Sequence, residues 1–430
     1  MSLFTRQLLA WYDLHGRKNL PWQGQGSYAV WISEIMLQQT QVKTVIPYYH
    51  AFISRFPDAL ALAQAEQDEI LHYWSGLGYY RRAIHLHQAA QVLVRDYAGI
   101  LPDRYEDIIR LPGIGTSTAA AILSQAFHQP KAILDTHVKR ILIRFYALQA
   151  ERAEQGKTHH HSIHKQLRHY ADYHVSRERP AAYTQAIMDL GALICTPRHA
   201  QCNLCPVAQE CMAKAHGLIY SLPLKPVTKP KPLPEMHKQL ILFVNTNQEV
   251  WLQRRDYAAV WQGLWSLPEL DITVAATISD TPMHSHVESS HTEHSGGAEN
   301  SSNSKDNKNS KDNTVPADLT EAIIQLAERF GFTVRYGHAL RIIKHRFSHY
   351  LLHIHPFYVA VQSEATISGT TIAEATIQED GFLWYSLNNT APEHVKNKKI
   401  GLPGPVAKLL HQIANMDHIE ANKMDKNQRL

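Results

Sequence analysis

Apolar positions recur at helical spacing through the first half of the chain and at strand spacing in the second. SYAVWISEIMLQ, from Ser27 to Gln38, keeps apolar side chains three and four apart, and Ser27 stands where an N-cap belongs. Residues 83–97, 116–127, 136–148 and 181–194 carry the same period, which predicts an all-α domain over 1–220. The pattern then breaks. Residues 221–235, SLPLKPVTKPKPLPE, hold five prolines and three lysines, so 221–236 reads as a stiff, extended spacer. Beyond it, residues 238–244, 249–254 and 353–361 are short, apolar and rich in β-branched or aromatic types, and a helix fits 319–330. This predicts a second, α+β domain over 237–415. Residues 281–315 include NSSNSKDNKNSKDN and cannot bury enough apolar surface to fold, so a disordered insert is expected there. The polar stretch 416–430 reads as a frayed tail.

A chain of 430 residues exceeds one ordinary core, in keeping with this multidomain reading. No apolar run reaches bilayer length, and Asp13 and His15 interrupt the apolar start, so neither a membrane span nor a signal peptide is expected. A cytoplasmic location follows as the expectation. The net charge of +4, with 28 histidines counted neutral, permits a polyanionic partner without requiring one.

All four cysteines fall in one stretch, as Cys195, Cys202, Cys205 and Cys211, spaced C-x6-C-x2-C-x5-C. In a reducing compartment such a cluster points to a metal site, and the spacing allows either a four-thiolate zinc or a [4Fe–4S] cluster. LPGIG, residues 111–115, sits between two predicted helices. Gly113 and Gly115 leave backbone N–H groups uncovered beside a helix N-terminus, a place for a phosphate or simply a helix-turn-helix corner. Asp135 precedes an apolar helix and reads as an N-cap. Glu34 lies among Trp31, Ile32, Ile35, Met36 and Leu37; it is either a proton donor with a raised pKa or a charge on a solvated helix face. His159, His160, His161 and His164, and likewise His284, His286, His291 and His294, lack accompanying carboxylates or thiols and read as solvated surface.

LPWQ (20–23), SEIMLQQTQV (33–42), GLGYYRRA (76–83), LPGIGTSTAAAIL (111–123), ILDTHVKR (133–140), MDLGALICTP (188–197) and the cysteine spacing occur in one order. Together they resemble the helix-hairpin-helix DNA glycosylases of the endonuclease III superfamily, and within them the MutY type of adenine DNA glycosylase. The resemblance implies a [4Fe–4S] cluster on the four cysteines. It implies Glu34 as general acid and Asp135 as the second catalytic carboxylate. Trp22, Gln23 and Gln185 would line the adenine pocket, Gln39 and Tyr79 would fill or wedge the base stack, and Thr40 would touch the opposite base. The implied partner is duplex DNA carrying adenine opposite 8-oxoguanine or guanine, met by a nucleoid-associated monomer.

Endonuclease III carries a Schiff-base lysine two residues after the second hairpin glycine; here that position is Ser117, which cannot form an imine. A monofunctional glycosylase is therefore expected over a bifunctional lyase. Thr136-His137 stands where MutY-type sequences commonly have Gly-Asn, which bears on rate and pH profile. In the second domain, Gly263-Leu-Trp-Ser-Leu-Pro-Glu269 resembles the start of a Nudix box, as in MutT. Glu328 is kept, while Gln325 and Arg329 occupy other acidic positions, too few carboxylates for a robust magnesium site. A Nudix-like reader without hydrolase chemistry is expected, with Phe347, Ser348 and His349 matching a lesion-recognition loop and Lys344, His345 and Arg346 available to phosphate. A non-catalytic damage-binding protein and a nucleotide pyrophosphohydrolase are the rivals. Retention of Glu34 and Asp135 disfavours the first, and the broken acidic helix disfavours the second.

Overall fold

Helical periodicity becomes a bundle in which one helix is apolar on almost every side. The structure, a computed structural model, describes residues 1–148, 160–223, 232–255, 261–270, 316–363, 381–387 and 399–427. The chain divides into two units, residues 1–229 and 230–430. The first runs α1 (Leu3–His15), α2 (Ser27–Leu37), α3 (Val42–Arg55), α4 (Ala59–Gln64), α5 (Gln67–Trp74), α6 (Arg81–Tyr97), α7 (Tyr105–Ile108), α8 (Thr116–Phe127), α9 (Thr136–Phe145), α10 (His160–His174) and α11 (Pro180–Asp189). A π-helical turn, Leu190–Ile194, then leads into the cysteine loop and α12 (Met212–Ala215).

Helix α2 buries Ala29, Val30, Trp31, Ile32, Ser33, Ile35 and Met36 against α3, α6 and α8. A helix apolar all round belongs inside. Glu34 is its one charged residue. Ser27 does not cap this helix: it is the first helical residue, and the cap is Gly26 at φ 88°, with no side-chain bond. A left-handed entry requires glycine there and leaves the serine one position too late. A second cluster gathers Phe4, Leu8 and Leu9 of α1 with Val138, Ile141 and Leu142 of α9 and Tyr183, Ala186 and Ile187 of α11. Asp135 caps α9, its Oδ1 accepting from Val138 N at 2.8 Å.

Two arginines on the inner face of α9 hold the cysteine loop. Arg140 donates from Nε to Cys195 O at 2.9 Å and from Nη2 to Gly191 O at 2.7 Å. Arg144, 2% exposed, donates to Leu222 O, Thr196 O and Pro197 O at 2.9, 2.8 and 3.1 Å. A buried guanidinium satisfies carbonyls that no helix or strand pairs. Leu222 is itself buried beside Ala213 and Ile219. The proline-rich stretch expected as a spacer from 221 therefore begins as part of the first unit.

It also ends early. β1 (Glu235–Val244) already pairs at Glu235 with Leu351, so Glu235 and Met236 belong to the sheet. The second unit continues with β2 (Glu249–Arg254), β3 (Trp265–Ser266), β4 (Glu269–Leu270), α13 (Ala317–Arg329), β5 (Phe332–Ala339), β6 (Ile343–Arg346), β7 (Leu351–Ser363), β8 (Phe382–Ser386) and α14 (Gly404–Asn427). Its sheet follows the order β3-β2-β1-β7-β5, with β1 and β7 parallel and the remaining pairs antiparallel. Alternation sends Ile241, Phe243, Phe357 and Val359 toward α13, and Leu240, Leu242, Leu352 and Ile354 toward Val406, Leu409 and Leu410 of α14. The backbone from 416 to 427 continues α14 instead of fraying. Good helix formers and the absence of Gly or Pro there extend the helix. The insert expected over 281–315 lies outside the described residues, as do His159 and His284, His286, His291 and His294.

Replacing Arg144 with methionine keeps the bulk and strands three carbonyls. It is expected to destabilise the first unit by about 2–3 kcal/mol, measured as a lowered urea midpoint, and to expose the 195–211 loop to proteolysis before global unfolding.

Candidate active site

Two carboxyls approach each other from different helices. Glu34, partly accessible on α2, accepts a hydrogen bond at Oε1 from Gln125 Nε2 of α8 at 2.6 Å. Burial pushes its carboxyl up to about 7; the Gln125 amide pulls it back, and the charge of Asp135 pushes the same way as burial. The solvated-face alternative for Glu34 is thus not what the fold builds. Asp135 sits at the N-terminus of α9, where the helix dipole favours a negative charge. Ser117 Oγ accepts from Leu134 N at 3.1 Å, tying the start of α8 to the residue before Asp135. His137 lies within the field of Asp135; burial pushes its imidazole below the ordinary value, against the pull of that carboxylate. A Cβ at position 191 would fall 2.7 Å from His137 Cβ, so glycine is required where the π-helical turn crosses α9.

Gln23 and Gln185 meet through a network that the motifs did not reveal. Asp189 is fully buried. Its carboxylate accepts from Arg17 N at 2.7 Å, from Arg17 Nη2 at 2.6 Å and from Gln185 Nε2 at 2.8 Å. Gln23 Nε2 donates to Arg17 O at 3.0 Å. The ring of Trp22 is 1% exposed and packs edge-to-face on Tyr49 at 5.3 Å, which makes it part of the core behind this loop.

Gln39 and Tyr79 share one conformational feature: both are non-glycine residues at left-handed φ, 58° and 51°. Arg82 holds the two turns together. Its guanidinium donates to Met36 O and Gln38 O at 2.6 Å, to Gly78 O at 3.0 Å and to Thr40 Oγ1 at 3.1 Å, and it lies 5.5 Å from the Tyr79 ring. Gln39 and Tyr79 are left exposed. Gln38 Nε2 reaches Gly113 O at 3.3 Å, linking these turns to the hairpin. There Gly113 takes φ 79° and Gly115 caps α8 without a side chain, so the first N–H groups of α8 have no side-chain acceptor at the cap.

The four cysteine sulfurs are mutual neighbours. Burial first, and then the neighbouring sulfurs, push the Cys205 thiol up to about 12, and Cys202 and Cys211 move the same way. Arg144 Nη1 lies 3.4 Å from Cys195 Sγ, a cation against the donor set. Four convergent thiols beside a guanidinium fit an anionic, thiolate-ligated group, whose own charge would reverse those shifts.

In the second unit, Phe347, Ser348 and His349 form the turn between β6 and β7. Phe347 is half-buried and stacks on Tyr350 at 4.6 Å, while Ser348 and His349 are exposed. Glu269 is paired with Arg255 and, at 3.0 Å, with Lys238; Glu328 is exposed on α13. The sequence motifs therefore passed over Gln125, Asp189, Arg17 and the clamping arginines. Arg82, Asp189 and Arg140 lay inside quoted motifs, and only their burial separates them from ordinary surface charge. Gln125 carried no signal.

Residues 32–164 match the HhH-GPD superfamily base excision DNA repair protein family. An adenine DNA glycosylase of Buchnera aphidicola subsp. Schizaphis graminum is 33% identical over 409 residues, 95% of this chain and 98% of that one. The adenine DNA glycosylase of Rattus norvegicus is 39% identical over 239 residues, 53% of this chain and 45% of its own. A solved thermostable thymine-DNA glycosylase aligns with 50% of this chain and 95% of its own at 26% identity, with a TM-score of 0.44. The 33% identity to the Buchnera protein over nearly the whole of both chains makes this protein a member of the adenine DNA glycosylase family, a base excision repair DNA N-glycosylase.

Proposed function

We propose that the chain removes adenine paired with 8-oxoguanine or guanine in duplex DNA, by hydrolysing the N-glycosidic bond and leaving the strand intact. The observation that carries this reading is the Glu34 carboxyl, raised to about 7 beside Asp135. Adenine is a poor leaving group as an anion. Glu34 gives its proton to a ring nitrogen of the base, so the C1′–N bond breaks with its electron pair passing to a neutral adenine. Such a positioned acid contributes ~10²–10⁴-fold. Gln125 holds Oε1 and leaves the second oxygen of the acid to carry that proton. Asp135 stabilises the oxocarbenium-like sugar, electrostatically or by a transient bond. Water then adds at C1′, and its proton returns to the Glu34 carboxylate.

The base must leave the stack first, a step that costs a few kcal/mol and less at a mispair. Gln39 and Tyr79, exposed at strained turns held by Arg82, suit filling or wedging the stack, with Thr40 toward the opposite base. The Arg17–Asp189 pair fixes Gln23 and Gln185 as pocket walls with defined donors and acceptors. Trp22 backs that wall from the core. The uncapped N-terminus of α8 at Gly113 and Gly115 suits a backbone phosphate. Cys195, Cys202, Cys205 and Cys211 would hold a [4Fe–4S] cluster. Its part when bound is to fix the loop that Arg140 and Arg144 carry at the far end of the Asp135 helix. The second unit reads the base opposite adenine through Phe347, Ser348 and His349, as a Nudix-like domain whose Glu269 is engaged by cations. This reading has the chain working as a monomer on nucleoid DNA.

Glu34→Gln is expected to lose at least ~10²-fold in single-turnover excision while duplex binding in a mobility-shift assay is retained. An equally fast variant would sink the acid role. In the parent, the rate falls as pH rises through about 7, because the donor form of Glu34 is then depleted. The same shift destabilises the fold as pH rises from 4.5 to about 7, since ionised Glu34 is disfavoured when folded. Glu34→Gln should therefore melt higher than the parent at pH 8 and no differently at pH 4.

With Ser117 in place of an imine-forming lysine, product strands should remain whole until alkali is added. A borohydride-trapped covalent adduct would contradict the monofunctional reading. A Ser348→Ala/His349→Ala variant should lose discrimination between 8-oxoguanine:A and G:A more than it loses excision itself. Equal losses on both pairs would count against the reader role.

A further inference from the structure

One face of the second sheet carries polar groups that the glycosylase reading leaves unused. On the parallel pair β1 and β7, His237 stands opposite His353 and Gln239 opposite His355, with Glu235 at the first position of β1. Side chains alternate along a strand, so these five share the face that continues inward as Ile241, Phe243, Phe357 and Val359. One donor atom each from Glu235, His237 and His353 lies within 4.8 Å of the other two. His353 is 8% exposed, and its Nε2 lies 3.3 Å from Glu235 Oε2 without making a hydrogen bond. The buried His355 Nδ1 and Gln239 Oε1 likewise have no partner. The buried, unpartnered His353 Nε2 faces Glu235 and His237, and a polar atom so placed calls for a ligand.

We propose that Glu235, His237 and His353 bind a divalent transition-metal ion of the zinc class. Two donors two residues apart on one strand, with a third from the adjacent strand, form a triangle that a single ion can cap. Two imidazoles and a carboxylate suit zinc and exclude calcium and magnesium, which prefer all-oxygen shells. Glu235 and His237 are exposed, so water completes the tetrahedron.

His355 orients one ligand. Its Nε2 lies 2.9 Å from His237 Nδ1. When His237 ligates through Nε2, its Nδ1–H donates to that nitrogen, the usual outer partner of a ligating histidine. The rings of His237 and His353 stack at 4.6 Å and 21°. Near-parallel rings cannot aim their in-plane lone pairs at one point, so binding turns the exposed His237 while buried His353 supplies the fixed donor. Lys344, paired with His353 on β6, is exposed, and its flexible stem lets the ammonium withdraw into water. The ion would pin the first turn-proximal residues of β1 to those of β7, the strand that begins just after the Phe347–Tyr350 turn.

The full chain, with its cysteine ligands loaded as purified, is titrated with zinc chloride by calorimetry and with cobalt by visible absorption. One zinc binds, and cobalt gives weak nitrogen- and oxygen-ligand bands without thiolate charge transfer. His237→Ala and Glu235→Gln, both exposed positions, each weaken zinc at least tenfold with an unchanged circular dichroism spectrum. His355→Asn weakens it by about 10–100-fold. Unchanged affinity in His237→Ala, a purely thiolate cobalt spectrum, or no zinc bound at micromolar concentration would each overturn the assignment. Excision by the parent and its glutamine variant at position 34 is independent of these outcomes.

Discussion

Keeping one carboxyl mostly out of water beside another that rests on a helix N-terminus is the constraint to which the first unit is built. Glu34 sits on a helix whose neighbours Trp31, Ile32, Ile35 and Met36 are all buried. The helix cannot turn the acid outward without exposing tryptophan. Asp135 comes from the N-cap of α9, with its Oδ1 already bound to Val138 N. The two carboxyls thus have different solvents, one mostly apolar side chains and the other a row of peptide dipoles. In the proposed mechanism that difference assigns the roles, since a protonated acid and a charged stabiliser must coexist at one pH.

Buried arginines hold the surrounding irregular backbone. Arg82 joins the end of α2 to the Gly76–Gly78 turn, and Arg140 and Arg144 join α9 to the cysteine loop. In each case a planar fork of donors reaches carbonyls at helix ends and in turns. A lysine could satisfy fewer of them and in less fixed directions. Burial lowers the Arg82 pKa to about 10, yet at neutral pH the group remains charged, so the clamp does not loosen. The same helix α9 thus carries Asp135 at its N-cap and holds the cysteine loop through Arg140 and Arg144.

Periodicity was enough to find α2, α6, α8, α9 and α11 of the first unit and β1, β2, β7 and α13 of the second, because these depend on which positions are apolar. Caps and boundaries were harder. Ser27 looked like a cap because serine usually is one, but the left-handed Gly26 takes that position. The proline-rich stretch looked uniform, while Leu222 is held by the first unit and Glu235 by the sheet of the second. Within the site, a charge among apolar residues and an acid before a helix are local patterns that drew attention to Glu34 and Asp135, while the roles proposed for them came from the resemblance. The Arg17–Asp189–Gln185 network spans 172 residues between its ends, and no local pattern encodes a partner that distant. Gln125 is an ordinary polar residue on a helix until the fold brings it to 2.6 Å from Glu34.

Ser117 joins these levels. Its hydroxyl accepts from Leu134 N, which precedes Asp135, so the residue that occupies the lyase position also trims the geometry of the second carboxylate. A lysine there could not accept that bond: its ammonium only donates, and Leu134 N–H would be left without its partner. Changing the position to an amine therefore alters two things together, adding a nucleophile and loosening the segment that presents Asp135. In the proposed mechanism, hydrolysis without strand cleavage would then rest on more than the lack of an amine. The same hydroxyl that cannot form an imine helps hold in place the segment that presents Asp135.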